Sequence, residues 1–136
     1  FNSRAQCLVD QFNAFSAGGL PIDGQRTLAE NLADLGGFSM AWQQFAQHET
    51  SVRSAAPLIR AVGSNDRLYW LFAAQALCTR MTDAAMQRLV RTDTHAPPQL
   101  RIDGALMNIP AFATAFGCSA QSRMGRSQTA KRCEVW

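Results

Sequence analysis

Lysine is nearly absent: Lys131 is the only one among 13 basic residues, and the other twelve are arginines. Histidine is scarce as well, with only His48 and His95. His48-Glu49 opens like an H-E-x-x-H metal motif, but position 52 is Val52. A helix needs imidazoles at i and i+4 to aim both at one ion, so this pair reads as solvated surface. No C-x-x-C pair occurs, which argues against a zinc knuckle. No G-x-S-x-G occurs, so a nucleophilic serine elbow has no support. The longest mostly apolar run, Leu68 to Cys78, is far short of the roughly 18 residues that would cross a bilayer. No N-x-[ST] glycosylation acceptor is present. Charge is not strongly one-sided: 13 basic against 10 acidic residues give +3. That excess is too small and too scattered to predict a nucleic-acid partner.

What is present is an ordinary globular composition, with 47% apolar and 17% charged residues in 136. That length suits one domain, which would bury roughly 68–70% of its unfolded surface. The first residue is Phe1 with no signal-peptide pattern before it, which reads as a processed product or a fragment. Four cysteines, Cys7, Cys78, Cys118 and Cys133, fit disulfides in an oxidising compartment. Three pairings are open to them, as is the alternative of four buried thiols.

Helical periodicity dominates. Cys7, Leu8, Phe12 and Phe15 recur at helical spacing over 1–15, and Gly18-Gly19-Leu20-Pro21 breaks the pattern. Asp23-Gly24 is a turn signal. Thr27 and Glu30 have the spacing of a capping box ahead of a long helix carrying Leu28, Leu32, Leu35, Trp42 and Phe45. Gly36-Gly37 inside that helix suggests close approach of another group. A loop is expected between Glu49 and Gly63. Ser64 is read as capping a helix to Arg80, with Leu68, Leu71, Phe72 and Leu77 on its apolar side. Thr82 is read as capping the next, with Met86, Leu89 and Val90. Ala96-Pro97-Pro98 is read as non-helical, Leu100–Ile102 as extended and Asp103-Gly104 as a turn. Asn108 is read as the cap of a short helix through Phe116, and 119–132 as a polar tail.

Two constellations could carry chemistry. Glu30 and Asp34 lie one turn apart on one helix face, and no basic residue follows Asp34 at helical spacing to pair with it. Either both are solvated, or a cation or donor lies between them. Asp93-Thr94-His95, followed by Pro97-Pro98 and Arg101, sets a histidine and its orienting acid in a stiff loop. Taken alone, such loop residues are more often plain surface.

In this order these pieces resemble the C-terminal end of the neprilysin and endothelin-converting enzyme family of zinc metallopeptidases. The resemblance runs through Gln6–Phe12, Asp23-Gly24 and Thr27–Gly37, then Ala74-Gln75 and Cys78. It continues through Asp93–Pro98, Arg101, Gly104, Leu106, Asn108, Phe112 and Ala115–Cys118, and ends at Cys133–Trp136. It implies a mainly α fold, the helical C-terminal part of a gluzincin-type (thermolysin-like) catalytic domain, with residues 1–136 as one piece of it.

The resemblance also implies roles. Glu30 would be the third ligand of a catalytic Zn2+. Asp34 would accept a hydrogen bond from a ligating imidazole and fix its tautomer. His95 would stabilise the oxyanion, with Asp93 orienting it and favouring its cationic form. Arg101 would hold a carbonyl of the bound peptide. Leu77 stands where animal members usually carry a Trp beside the pocket for the residue after the scissile bond. Ala96 replaces the usual serine of His-Ser-Pro. Cys7 and Cys133 would form a bridge worth about 4–5 kcal/mol in the chain-entropy model, leaving Cys78 and Cys118 unpaired or paired with each other. The H-E-x-x-H helix lies upstream in the family, so this chain would hold about half a site and be inactive alone. Peptide substrates, that upstream segment as partner, and an extracytoplasmic location complete the implied picture. The alternative is a non-catalytic, secreted helical interaction module.

Overall fold

The computed structural model describes residues 1–48, 61–128 and 132–135. Among these residues the main elements are six α-helices and one short hairpin: α1 (Asn2–Asn13), β1 (Ser16–Ala17), β2 (Leu20–Pro21), α2 (Leu28–His48), α3 (Asn65–Gln75), α4 (Asp83–Thr92), α5 (Pro98–Leu106) and α6 (Pro110–Phe116). A 3-10 turn, Arg123–Gln128, follows. The fold is mainly α, as the periodicity predicts. His48 is exposed at the end of α2. Glu49, Val52 and most of the expected 49–63 loop lie outside the described residues, as does Trp136.

The core runs from α1 (Leu8, Phe12) through Ile22, Leu35 and Trp70 to Leu100, Leu106 and Ile109. Antiparallel β1 and β2 pair Ala17 with Leu20 across Gly18-Gly19. Both glycines have positive φ, 58° and 77°, which a two-residue hairpin turn demands. By sequence alone the segment reads only as a helix breaker. Gly24 sits so close to α1 that an added Cβ would lie 2.2 Å from the Val9 carbonyl oxygen.

Two caps form as expected: the Ser64 hydroxyl accepts from Arg67 N–H and the Thr82 hydroxyl from Ala85 N–H. Others differ. The Thr27–Glu30 capping box does not form: the Thr27 N–H and hydroxyl donate to the Asp23 carbonyl, and the hydroxyl oxygen accepts from the Asn31 side-chain amide. α3 ends at Gln75 rather than Arg80, closing in three-residue turns through Leu77 and Cys78. Its buried residue is Trp70, whereas Leu71 and Phe72 are exposed. Among the described residues nothing lies within 4 Å of where a Cβ on Gly37 would sit, where a close neighbour is expected.

The largest correction is at Pro97-Pro98. Residues 98–106 are helical, not extended with a turn at Asp103-Gly104. Pro97 is the N-cap and Pro98 the first helical residue, where a missing N–H costs nothing. Gly104 serves packing: a Cβ there would lie 2.5 Å from the Phe12 ring. Asn108 does not cap α6, whose N-cap is Ile109. Its amide instead donates to Gln11 Oε1 and the Gly104 carbonyl, and its Oδ1 accepts from Cys133 N–H. Cys7 and Cys133 are disulfide-bonded with Cα atoms 5.5 Å apart. Cys78 (exposed) and Cys118 (half-buried) carry thiols.

Candidate active site

α2 runs past α5 and meets, near its N-terminal end, the loop that leaves α4. That convergence gathers Glu30, Asp34, Asp93, His95 and Arg101. Glu30 and Asp34 come from the first two turns of α2. His95 follows Asp93, the C-cap of α4, and Arg101 is on the first turn of α5.

His95 lies between two carboxylates. Nδ1 is 2.9 Å from Asp93 Oδ1, and Nε2 is 3.1 Å from Glu30 Oε2. The His95 backbone N–H also donates to Asp93 Oδ1 at 2.8 Å. That backbone bond is the first reason the Asp93 carboxyl is held below its usual range; the bond to the His95 ring is the second. A ring facing carboxylate oxygens at both nitrogens donates to both only as the imidazolium. The side chains of His95 and Glu30 are 42% and 36% exposed, so solvent reaches both. Glu30 Oε1 has no hydrogen-bond partner among the described residues.

Asp34 and Arg101 form a two-pronged pair. Arg101 Nε donates to Oδ2 and Nη2 to Oδ1, each at 2.8 Å. This pairing is the main cause of the raised Arg101 pKa, with the Asp34, Glu30 and Asp93 charges adding to it. Asp34 is 12% exposed and Arg101 23%, so the pair is screened less than a surface one. Nη1 of Arg101 makes no hydrogen bond to the described residues and remains as a donor. Neither this pair nor the Glu30–His95 contact is part of the sequence reading. The available signal is the lack of any helical partner for Asp34, which leaves it either solvated or met by a group from elsewhere in the chain.

Beside this polar rim, α2 and α3 wall an open apolar groove of about 720 Å³, lined by Asp34, Phe38, Ala41, Leu68, Phe72 and Leu77 among others. Leu77 thus shares a groove with Asp34. Among the described residues, no group of three or more His, Cys, Asp or Glu side chains is placed to hold a metal ion. Glu30 alone fits as one arm of such a site: a carboxylate at a solvent-reached rim with one oxygen open.

The family model described as "Peptidase family M13" matches residues 1–134. An endothelin-converting enzyme homolog of Locusta migratoria is 35% identical over the whole chain. Endothelin-converting enzyme 1 of Rattus norvegicus is 32% identical and Neprilysin-3 of Drosophila melanogaster 31%, again over the whole chain. The chain spans 17–18% of the length of these relatives.

Proposed function

Because the chain belongs to peptidase family M13, we propose that it is the C-terminal portion of the catalytic domain of a zinc-dependent endopeptidase that cleaves oligopeptides. The upstream part of the same polypeptide would carry H-E-x-x-H and supply two imidazole ligands, with Glu30 as the third. A lone carboxylate does not hold zinc at useful affinity, so the chain by itself would be inactive. Bound there, zinc supplies Lewis-acid activation of water for attack on a peptide carbonyl.

This chain's residues would do the rest. His95, oriented by Asp93 at Nδ1, would offer its Nε2–H to the negative charge that develops on the carbonyl oxygen once the Glu30 carboxylate, which faces Nε2 in this chain, is drawn to the metal. Arg101, braced by Asp34, offers Nη1 to a backbone carbonyl of the bound peptide. Asp34 keeps lone pairs beyond those facing Arg101 and can accept from a ligating imidazole as well. The apolar groove past Leu77 suits an apolar side chain of the substrate. An extracytoplasmic setting accords with the Cys7–Cys133 bridge.

The observation that carries this reading is the convergence of Glu30, Asp93 and His95 within hydrogen-bonding distance across two chain segments. The test is metal content of the longest natural polypeptide containing this chain. One zinc per chain, lost in Glu30→Ala with the fold intact, is expected. A folded protein without metal would favour the non-catalytic secreted helical module.

A further inference from the structure

Arg26 is outside the motif residues and has none of the roles assigned above. It lies two residues before α2 and four before Glu30. Its backbone N–H donates to Asp23 Oδ1 at 2.9 Å, which fixes the turn leading into the helix. Its guanidinium crosses to the far end of α4. There Nη1 donates to the Arg91 carbonyl at 3.0 Å and Nη2 to the Val90 carbonyl. Carbonyls in the last turn of a helix lack helical partners, and a cation is favoured beside them by the helix dipole. Asp93 caps that same helix end, and His95 follows two residues later.

The segments 26–30 and 90–95 are therefore joined twice. One joint is the Arg26 fork; the other is the Glu30–His95 contact at 3.1 Å. We propose that Arg26 is a positioning residue that holds the end of α4 against the start of α2, and so sets where His95 lies relative to Glu30. This inference rests on the active-site reading above. Among the described residues the buried Arg26 Nε has no partner, and both terminal nitrogens already face carbonyls, with Nη1 also 3.9 Å from Asp23 Oδ2. The side chain therefore acts through the backbone it grips. A planar fork reaches two successive carbonyls in fixed geometry, which a lysine ammonium does not.

Arg67 is an internal control. Its Nε donates to the Ala115 carbonyl at 2.7 Å and its guanidinium lies over the Phe116 ring. It thus grips the end of α6, which carries none of the site residues.

The experiment uses the longest natural polypeptide containing this chain and compares Arg26→Met, Arg26→Lys, Arg67→Met, His95→Ala and the Arg26→Met/His95→Ala double variant. Arg26→Met is expected to lower kcat about ten- to hundredfold, as small misplacements of reacting groups do, with KM within about twofold. Arg26→Lys should recover part of that loss. The double variant should be no slower than His95→Ala alone, because Arg26 acts through His95. Arg67→Met should keep kcat within about twofold. In metal-free protein, amide exchange should quicken at 90–96 in Arg26→Met and at 110–117 in Arg67→Met. Should Arg26→Met fail to fold, Arg26→Lys carries the same comparison. The inference is overturned by wild-type kcat in Arg26→Met, by losses that multiply in the double variant, or by an equal kcat loss in Arg67→Met. Wild-type kcat in His95→Ala would instead sink the active-site reading, and the Arg26 clamp would then stand or fall on exchange at 90–96.

Discussion

Gln11 and Asn108 are buried between α1, α5 and the 132–135 segment, whereas Glu30, Asp93, His95 and Arg101 are partly exposed where α2, α5 and the loop after α4 converge. Both sets of polar side chains bridge elements distant in sequence. In the buried set, the Gln11 amide donates to the Gly104 carbonyl at 2.7 Å and accepts from Asn108 at 2.9 Å, while Asn108 also receives the Cys133 N–H. Little hydrogen-bonding capacity remains, and the adjoining disulfide ties the same strands of chain together. In the exposed set, capacity is left over: one Glu30 oxygen and the Arg101 Nη1 have no partner among the described residues. A satisfied buried network holds a fold in one arrangement. A rim with open donors and acceptors has something to offer a ligand.

That contrast can be broken by separating stability from turnover. The largest effect on stability is expected at Asn108. Asn108→Ala strands Gln11 Oε1 and the Cys133 N–H in the interior, for a loss of about 2–4 kcal/mol, with kcat of the intact polypeptide unchanged. Chemical denaturation beside kinetics checks it, and an equal fall in kcat with little loss of stability would erase the distinction. Next is Gly104→Ala, which drives a methyl into the Phe12 ring and should cost about 1–3 kcal/mol. A stable variant there would mean the α1–α5 contact is looser than described.

Arg101→Ala sharpens the other side. KM should rise about tenfold, equivalent to about 1.4 kcal/mol, while Arg101→Lys should restore charge but little affinity. Unchanged KM in Arg101→Ala would remove the peptide carbonyl from its role. The smallest effect concerns Asp93, whose carboxyl titrates below the usual aspartate range because it accepts the His95 N–H and faces the His95 ring. A folded-state pKa below the unfolded one means the Asp93 contribution is complete above the ordinary value of about 3.9, and is lost as pH falls through the lowered one. Carbon-13 titration of labelled aspartate reads this directly, and a midpoint at or above the ordinary value contradicts it.

The residue pairs of the candidate site stand out by type and local spacing, but read alone both are more often solvated surface, and their proposed roles come from the family resemblance. Glu30 and Asp34 one turn apart, and Asp93 two residues from His95, can be read without knowing what packs where. The missing helical partner of Asp34 leaves two readings open, a solvated carboxylate or one met by a cation or donor, and nothing local points to Arg101, 67 residues on. The structural residues were harder. Asn108 looks like a cap because Asn often is one; its actual partner, Gln11, is 97 residues away. Gly104 looked like half of a turn, yet it is small because Phe12 needs the room. Pro97-Pro98 was weighed as a helix breaker, although first-turn positions require no donor. Leu71 and Phe72 have core composition but no cover among the described residues, which hydrophobic spacing alone does not reveal. The abundance of arginine over lysine also gains some physical content here. Arg26 and Arg101 use the planar fork to bind carbonyls or a carboxylate across elements, and Arg67 reaches a carbonyl and an aromatic ring.

The central claim is that the side chain held between Asp93 and Glu30 meets the reacting carbonyl oxygen. Steady-state kinetics of His95→Ala in the longest natural polypeptide, with a defined peptide substrate, tests it most directly. A kcat lowered about 10²- to 10³-fold, with KM within a few-fold of wild type, is the result the account predicts. A kcat equal to wild type, or a loss carried wholly by KM, would contradict it.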